Sequence, residues 1–117
     1  MALRVLFVCS RNRLRSPTAE AVFAGVPGVE PDSAGLAPDA ETVLDVAQVE
    51  WAGLIVVMER RHRAGVARGF GARRKGKRLV CLDIPDRYGY MQPELEALLG
   101  RKVGPLLAGR AERLQIR

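Results

Sequence analysis

A chain of 117 residues, 48% of them hydrophobic, can bury one core and is too short for two, so a single domain over residues 1–117 is expected. Its two cysteines make neither a disulfide framework nor a zinc motif, no apolar run reaches the length of a membrane span, and Met1 leads into a strand pattern without a secretory leader; the cytoplasm, where a reactive thiol survives, is the expected location. The formal net charge of +6 points to anionic partners.

Leu3-Arg4-Val5-Leu6-Phe7-Val8 reads as a buried first strand that ends at Cys9. A short loop, Ser10-Arg11-Asn12-Arg13-Leu14, leads to Arg15-Ser16-Pro17, where the proline predicts a helix from Pro17 to about Ala24, stopped by Gly25 and Pro27. A second strand is expected near Val29 to Ser33. Asp39-Ala40-Glu41-Thr42 predicts the start of a helix reaching about Glu50, and Leu54 to Met58 reads as a central strand buried on both faces. A helix from Glu59 to about Arg68 and a strand from Arg78 to Leu82 follow. A last helix begins near Pro93, with a break expected near Gly100 or Gly104-Pro105.

Strands alternating with helices predict an α/β fold, a three-layer α/β/α arrangement around a four-stranded parallel sheet. With strand order 2-1-3-4 the winding reverses beside the first strand, and open sheets of this kind bind ligands at such a switch point. Cys9 would lie in that crevice.

The residue types around Cys9 suit one chemistry. A strand emptying into a loop that opens a helix turns backbone N–H groups inward, and the helix end adds its positive field, so Ser10 through Ser16 can cradle a tetrahedral oxyanion. Loop amides and Arg15 stabilise the sulfur anion of Cys9, which can attack phosphorus in line. Arg15 can clamp two phosphate oxygens with its planar fork. Ser16 can donate to the thiolate and cap the helix, and Asn12 tolerates the left-handed backbone such a loop requires. Glu20 misses the capping-box position and is given no role.

Phosphate-ester cleavage also needs a proton for the leaving oxygen. Asp83 and Asp86 both emerge at the carboxyl edge of the sheet after the fourth strand, on the side of Cys9. Asp86, following Pro85 and preceding Tyr88-Gly89-Tyr90, projects further and is the better general acid, although aspartates beside proline are also ordinary turn residues.

Taken together, Val8-Cys9 through Arg15-Ser16-Pro17-Thr18-Ala19-Glu20, then Ser33-Ala34-Gly35, Leu54 through Met58-Glu59-Arg60-Arg61-His62, and Ile84-Pro85-Asp86-Arg87-Tyr88 resemble, in order, the landmarks of the low-molecular-weight protein tyrosine phosphatases. The resemblance covers most of the chain. It implies a phosphate monoester hydrolase, specifically a protein tyrosine phosphatase working through a cysteinyl-phosphate: Cys9 as nucleophile, Arg15 as clamp, Ser16 as hydrogen-bond donor to sulfur, Asn12 as loop organiser, Asp86 as acid and Tyr88 as an aromatic substrate wall. No metal or cofactor is implied, and the partners would be a phosphorylated protein or a small phosphomonoester. The chain departs from the family pattern at Arg11 in place of glycine, Leu14 in place of a frequent second cysteine, Arg87 in place of proline, and in a short stretch between Gly35 and Trp51.

Three other readings compete. Cys9 could simply finish a core strand, since free cysteine is a common buried residue and Cys-x5-Arg arises by chance in an arginine-rich chain. A basic nucleic-acid-binding module would draw on Arg60 to Arg63 and Arg73 to Arg78, although no nucleic-acid motif is present and aromatic residues do not interleave with the charge. A thiol-dependent arsenate reductase on the same scaffold would need Cys81 as a resolving thiol, a residue whose place in a strand pattern suits a small core side chain instead. His62, the single histidine, is expected to be structural or solvated and away from the loop.

Overall fold

The computed structural model describes residues 2–115. Its elements are β1 (Leu3–Cys9), α1 (Arg15–Phe23), β2 (Val29–Gly35), α2 (Val46–Trp51), β3 (Leu54–Val57), α3 (Arg60–Arg74), β4 (Arg78–Cys81) and α4 (Pro93–Gln115). The four strands form one parallel sheet in the order β2-β1-β3-β4. This is the α/β architecture that the alternation of elements predicts, with the expected strand order 2-1-3-4.

Because successive strand residues point to opposite faces, β1 feeds two cores at once. Leu3, Val5, Phe7 and Cys9 enter a cluster with Ala19 and Phe23 of α1 and Leu95, Leu99, Val103 and Leu107 of α4. Leu6 and Val8 enter the opposite cluster with Val49 of α2 and Val66 of α3. The sheet is therefore covered by α1 and α4 on one side and by α2 and α3 on the other. The β3 strand, Leu-Ile-Val-Val, is buried along its whole length, as a central parallel strand must be.

Three predicted helices differ. The helix expected from Asp39 starts instead at Val46, capped by Asp45, whose carboxylate accepts the Gln48 N–H at 2.8 Å. The intervening segment has other uses for its backbone: Ala37 N–H donates to Ser10 O (2.8 Å), Glu41 N–H to Arg11 O (3.0 Å) and Gly35 N–H to Thr42 O (2.8 Å). Residues stitched to the loop after β1 cannot also close helical bonds. The last helix carries through Gly100 and Pro105 without the expected break. Proline removes one helical hydrogen bond, but Leu95, Leu99, Val103 and Leu107, spaced four apart and buried against the sheet, hold both halves in register.

Helix α3 also runs past the expected Arg68 to Arg74, with Phe70 departing from helical angles (φ −136°, ψ 21°). Among the described residues no helix is long and apolar enough to cross a membrane.

Candidate active site

The loop joining β1 to α1 is built around one sulfur. Cys9 closes β1 beside Gly35 of β2, and the chain then turns through Asn12, which is buried and has φ 55°. Asparagine tolerates this left-handed conformation better than most side chains. The turn brings Asn12 N–H back onto Cys9 Sγ at 3.3 Å. The Ser16 hydroxyl lies 2.9 Å from the same sulfur. Asn12 Nδ2 donates to Ser16 Oγ at 3.0 Å, and the hydroxyl proton has two acceptors in reach, Cys9 Sγ at 2.9 Å and Ala34 O at 3.3 Å. Ser16 does not cap the helix as expected: α1 starts two residues earlier than Pro17, at Arg15, and Leu14 at its N-cap provides no side-chain bond.

Close approach of backbones fixes this turn. A Cβ on Gly35 would fall 2.6 Å from Ser10 O and 2.9 Å from Arg11 C, so only glycine lets β2 lie against the loop.

Arg15 is 2% exposed and docked from three sides. Its Nη1 donates to Glu59 Oε1 at 2.5 Å and to Ile84 O at 2.7 Å, and its Nε lies 3.7 Å from Asp86 Oδ1. Glu59, placed just after β3, also takes Arg61 through Nε at 2.8 Å. Hydrogen bonds from Arg61 and Arg15 hold its carboxyl at about 2, against an opposing push from burial. Met58 N–H donates to Val8 O (3.1 Å), so the chain leaving β3 emerges beside the chain leaving β1, and Glu59 arrives next to Arg15 by strand adjacency alone.

His62 occupies a place the sequence reading did not foresee. It is 2% exposed and touches the loop: one ring nitrogen, Nε2, lies 2.9 Å from Ser10 Oγ, while Nδ1 accepts the Glu59 N–H at 3.0 Å. With Nδ1 an acceptor, the ring proton belongs on Nε2 and donates to Ser10. Burial first, and then the positive charges of Arg15 and Arg61, push His62 down to about 4, so the ring is neutral at physiological pH. The expectation that it lay away from the loop is corrected. The signal available was its position three residues after Glu59, at the start of a helix that follows the strand beside β1.

A cleft of about 940 Å³ opens over this floor. Cys9, Ser10, Arg11, Arg13, Leu14 and Arg15 line it on one side, and α3 forms the other. Asn12 and Ser16 lie beneath as supports. Arg11 pairs with Asp39 (3.5 Å) and Arg13 with Glu41 (3.3 Å) at the exposed rim. Asp86, half-exposed, reaches the lining, whereas Asp83 turns to Arg60 (3.6 Å) and to the Cys81 thiol. Tyr88 is absent from the lining: its ring is half-buried against the core cluster of α1 and α4, and the Arg87 guanidinium stacks 5.6 Å from its centre. Glu20, given no role from sequence, accepts the Ser33 hydroxyl at 2.5 Å and ties α1 to β2. Among the described residues, no group of three or more His, Cys, Asp or Glu side chains is gathered in a way that could hold a metal ion.

No protein-family model and no curated protein sequence matches the chain. Solved structures do. The YwlE arginine phosphatase of Geobacillus stearothermophilus is 25% identical and superposes with a TM-score of 0.75, over 94% of this chain and 96% of its own. The Erwinia amylovora tyrosine phosphatase AmsI is also 25% identical, with a TM-score of 0.64 over 86% of this chain and 85% of its own. The tyrosine phosphatase Wzb of Escherichia coli, solved with phosphate, is 20% identical and shares the fold with a TM-score of 0.74 over 93% and 99%. A sulfur cradled at the end of a central strand, on this sheet and among these neighbours, defines a cysteine-dependent phosphatase. The chain shares the fold of the low-molecular-weight protein tyrosine phosphatases.

Proposed function

We propose that the chain hydrolyses phosphate monoesters through a covalent cysteinyl-phosphate, acting on a phosphorylated protein side chain or a small phosphomonoester in the cytoplasm. One observation carries the reading: Cys9 Sγ is held by Ser16 Oγ and Asn12 N–H at the floor of a cleft beside the buried Arg15. In the first step the Cys9 thiolate forms a bond to phosphorus as the phosphorus–oxygen bond to the leaving group breaks, and Asp86 gives its proton to the departing oxygen. Arg15 and the loop amides hold the charge on the equatorial oxygens. In the second step the Asp86 carboxylate takes a proton from water as that oxygen attacks phosphorus, and the sulfur leaves as thiolate, eased by the Ser16 hydroxyl. Phosphotyrosine is the first candidate substrate, by likeness to neighbours described as tyrosine phosphatases; phosphoarginine is the second, by likeness to YwlE, and there the bond broken would be phosphorus–nitrogen, with Asp86 giving its proton to the departing nitrogen.

Arsenate reduction is less well supported. Cys81 pairs with Val57, and Val57 with Val8, so Cys81 lies two strands from β1, a lateral separation of about 10 Å, and the two thiols face opposite cores. A direct disulfide between them would need a Cα separation below about 7 Å.

The test is a pair of measurements on Cys9→Ser: loss of p-nitrophenyl phosphate turnover with retained affinity for inorganic phosphate. Turnover persisting in that variant would overturn the reading. A chelator is expected to leave the wild-type rate unchanged.

A further inference from the structure

The cleft extends well beyond the reacting sulfur. Its second wall is one face of α3, formed by Arg61, Gly65, Arg68 and Gly69. Arg61 and Arg68 are seven residues apart, which on a helix means two turns, the same face and about 10 Å along the axis. Between and beside them the glycines leave the wall low. A Cβ on Gly65 would run into Leu36 Cδ1 at 2.8 Å, whereas one on Gly69 would meet nothing within 4 Å.

The charges along this cleft are unequally compensated. Arg15 and Arg61 share Glu59, Arg11 has Asp39 and Arg13 has Glu41. Arg68 lines the cleft and, among the described residues, has no carboxylate within ion-pair distance. The lining has one carboxylate, Asp86, and no Phe, Tyr or Trp side chain. A bare aromatic leaving group would find no ring to stack on here, while an acidic one would find an uncompensated guanidinium in a concave, positively lined channel, where fields are focused.

We propose that Arg68 forms an anion subsite at the far end of the cleft, and that the preferred substrate is a phosphomonoester whose leaving group carries a second acidic group placed to reach Arg68. This rests on the phosphatase reading above and specifies its substrate class. Arg68 binds the remote anion and takes no part in the bond changes at phosphorus.

The experiment compares phenyl phosphates bearing a para alkyl chain of graded length that ends either in a carboxylate or in the isosteric primary amide. With the best-fitting chain, the acid is expected to exceed the amide in kcat/KM by about fivefold, the range of a partly exposed ion pair, through KM and with a steep loss in high salt. Arg68→Gln should bring the ratio to about one while hydrolysing p-nitrophenyl phosphate as the wild type does, and Arg68→Glu should invert the ratio. Gly69→Leu, which fills the open end of the cleft, should lower kcat/KM for the long-chain substrates alone. The matching phosphonate acid and amide, titrated onto Cys9→Ser, give the same comparison without turnover. An acid-to-amide ratio near one at every chain length, or a preference that survives Arg68→Gln, would overturn the subsite while leaving the phosphatase standing. Failure of every phosphate to turn over and of both phosphonates to bind would overturn the phosphatase reading and the subsite with it.

Discussion

Glu59 Oε1 accepts Arg15 Nη1 at 2.5 Å while its other oxygen holds Arg61 at 2.8 Å, so one carboxylate at the end of β3 orients the buried guanidinium beside the sulfur and a second guanidinium on the cleft wall. Arg15 needs such a partner, because an isolated charge at this depth would be expensive. Replacing Glu59 by Gln keeps the shape and removes the charge. The expected result is a fall in kcat of about tenfold to a hundredfold, the order produced by a misplaced positioning group, together with weaker inhibition by inorganic phosphate. A kcat within twofold of the wild type would show that Ile84 O and Asp86 suffice to hold Arg15.

Asp86 contacts Arg15 from the open side of the cleft, at 3.7 Å. As the proposed proton donor it matters most when the leaving oxygen is a poor leaving group. Asp86→Asn is expected to slow phenyl phosphate by about a hundredfold, the middle of the range for general acid catalysis, and to slow dinitrophenyl phosphate much less. A plot of log kcat against leaving-group pKa, steeper in the variant than in the wild type, checks it. Equal slowing of both substrates would move the role of Asp86 from proton transfer to the placing of Arg15.

Gly35→Ala tests the backbone contact that shapes the loop. The added methyl would fall 2.6 Å from Ser10 O, 2.7 Å from Ala40 Cβ and 2.9 Å from Arg11 C, two of them backbone atoms that cannot turn aside. A loss of about 1–3 kcal/mol, typical of overpacking, is expected in urea unfolding, with turnover falling further than stability alone explains. Gly25→Ala, which meets nothing within 4 Å, is the control.

Acid should unfold this protein through the site itself. His62 is held at about 4 in the folded chain against an ordinary value of 6.5, so between those pH values the unfolded chain binds a proton that the folded one does not. Glu59 is held at about 2 against 4.5, with the same imbalance lower down. Stability from His62 is therefore complete above about pH 6.5 and lost as pH falls towards 4, and stability from Glu59 is lost between 4.5 and 2. Urea midpoints measured from pH 7 to pH 3 should fall in both windows. His62→Gln should flatten the upper one and leave the lower one in place.

What could be read from sequence and what could not divide along physical lines. The run from Leu3 to Val8, the buried Leu54 to Val57 and the alternation of strands with helices are local signals, and they predict the parallel α/β sheet that the structure has. The loop residues are also a local set: Asn12 takes the left-handed turn and Ser16 faces sulfur as their types suggest. Glu59 and His62 are another matter, because they reach the loop only through the pairing of β3 with β1, and the local sequence signals it only by their place at the start of the helix after that strand. The segment Asp39 to Thr42 has a helix-start composition, yet Glu41 N–H bonds to Arg11 O thirty residues back and Thr42 O takes the Gly35 N–H across a turn. Tyr88 is an aromatic wall only by what the resemblance implies; core packing and the Arg87 guanidinium take its ring in the structure.

The placing of the two thiols governs how the protein ages in an oxidant. Cys9 sits with the α1 and α4 core and Cys81 with the α2 and α3 core, the sheet between them, and Leu14 stands in the loop where a neighbouring sulfur could have been. A Cys9 sulfenic acid would thus have no partner in its own chain to trap it as a disulfide. Rescue would have to come from a small diffusible thiol entering through the cleft, before further oxidation makes the damage permanent.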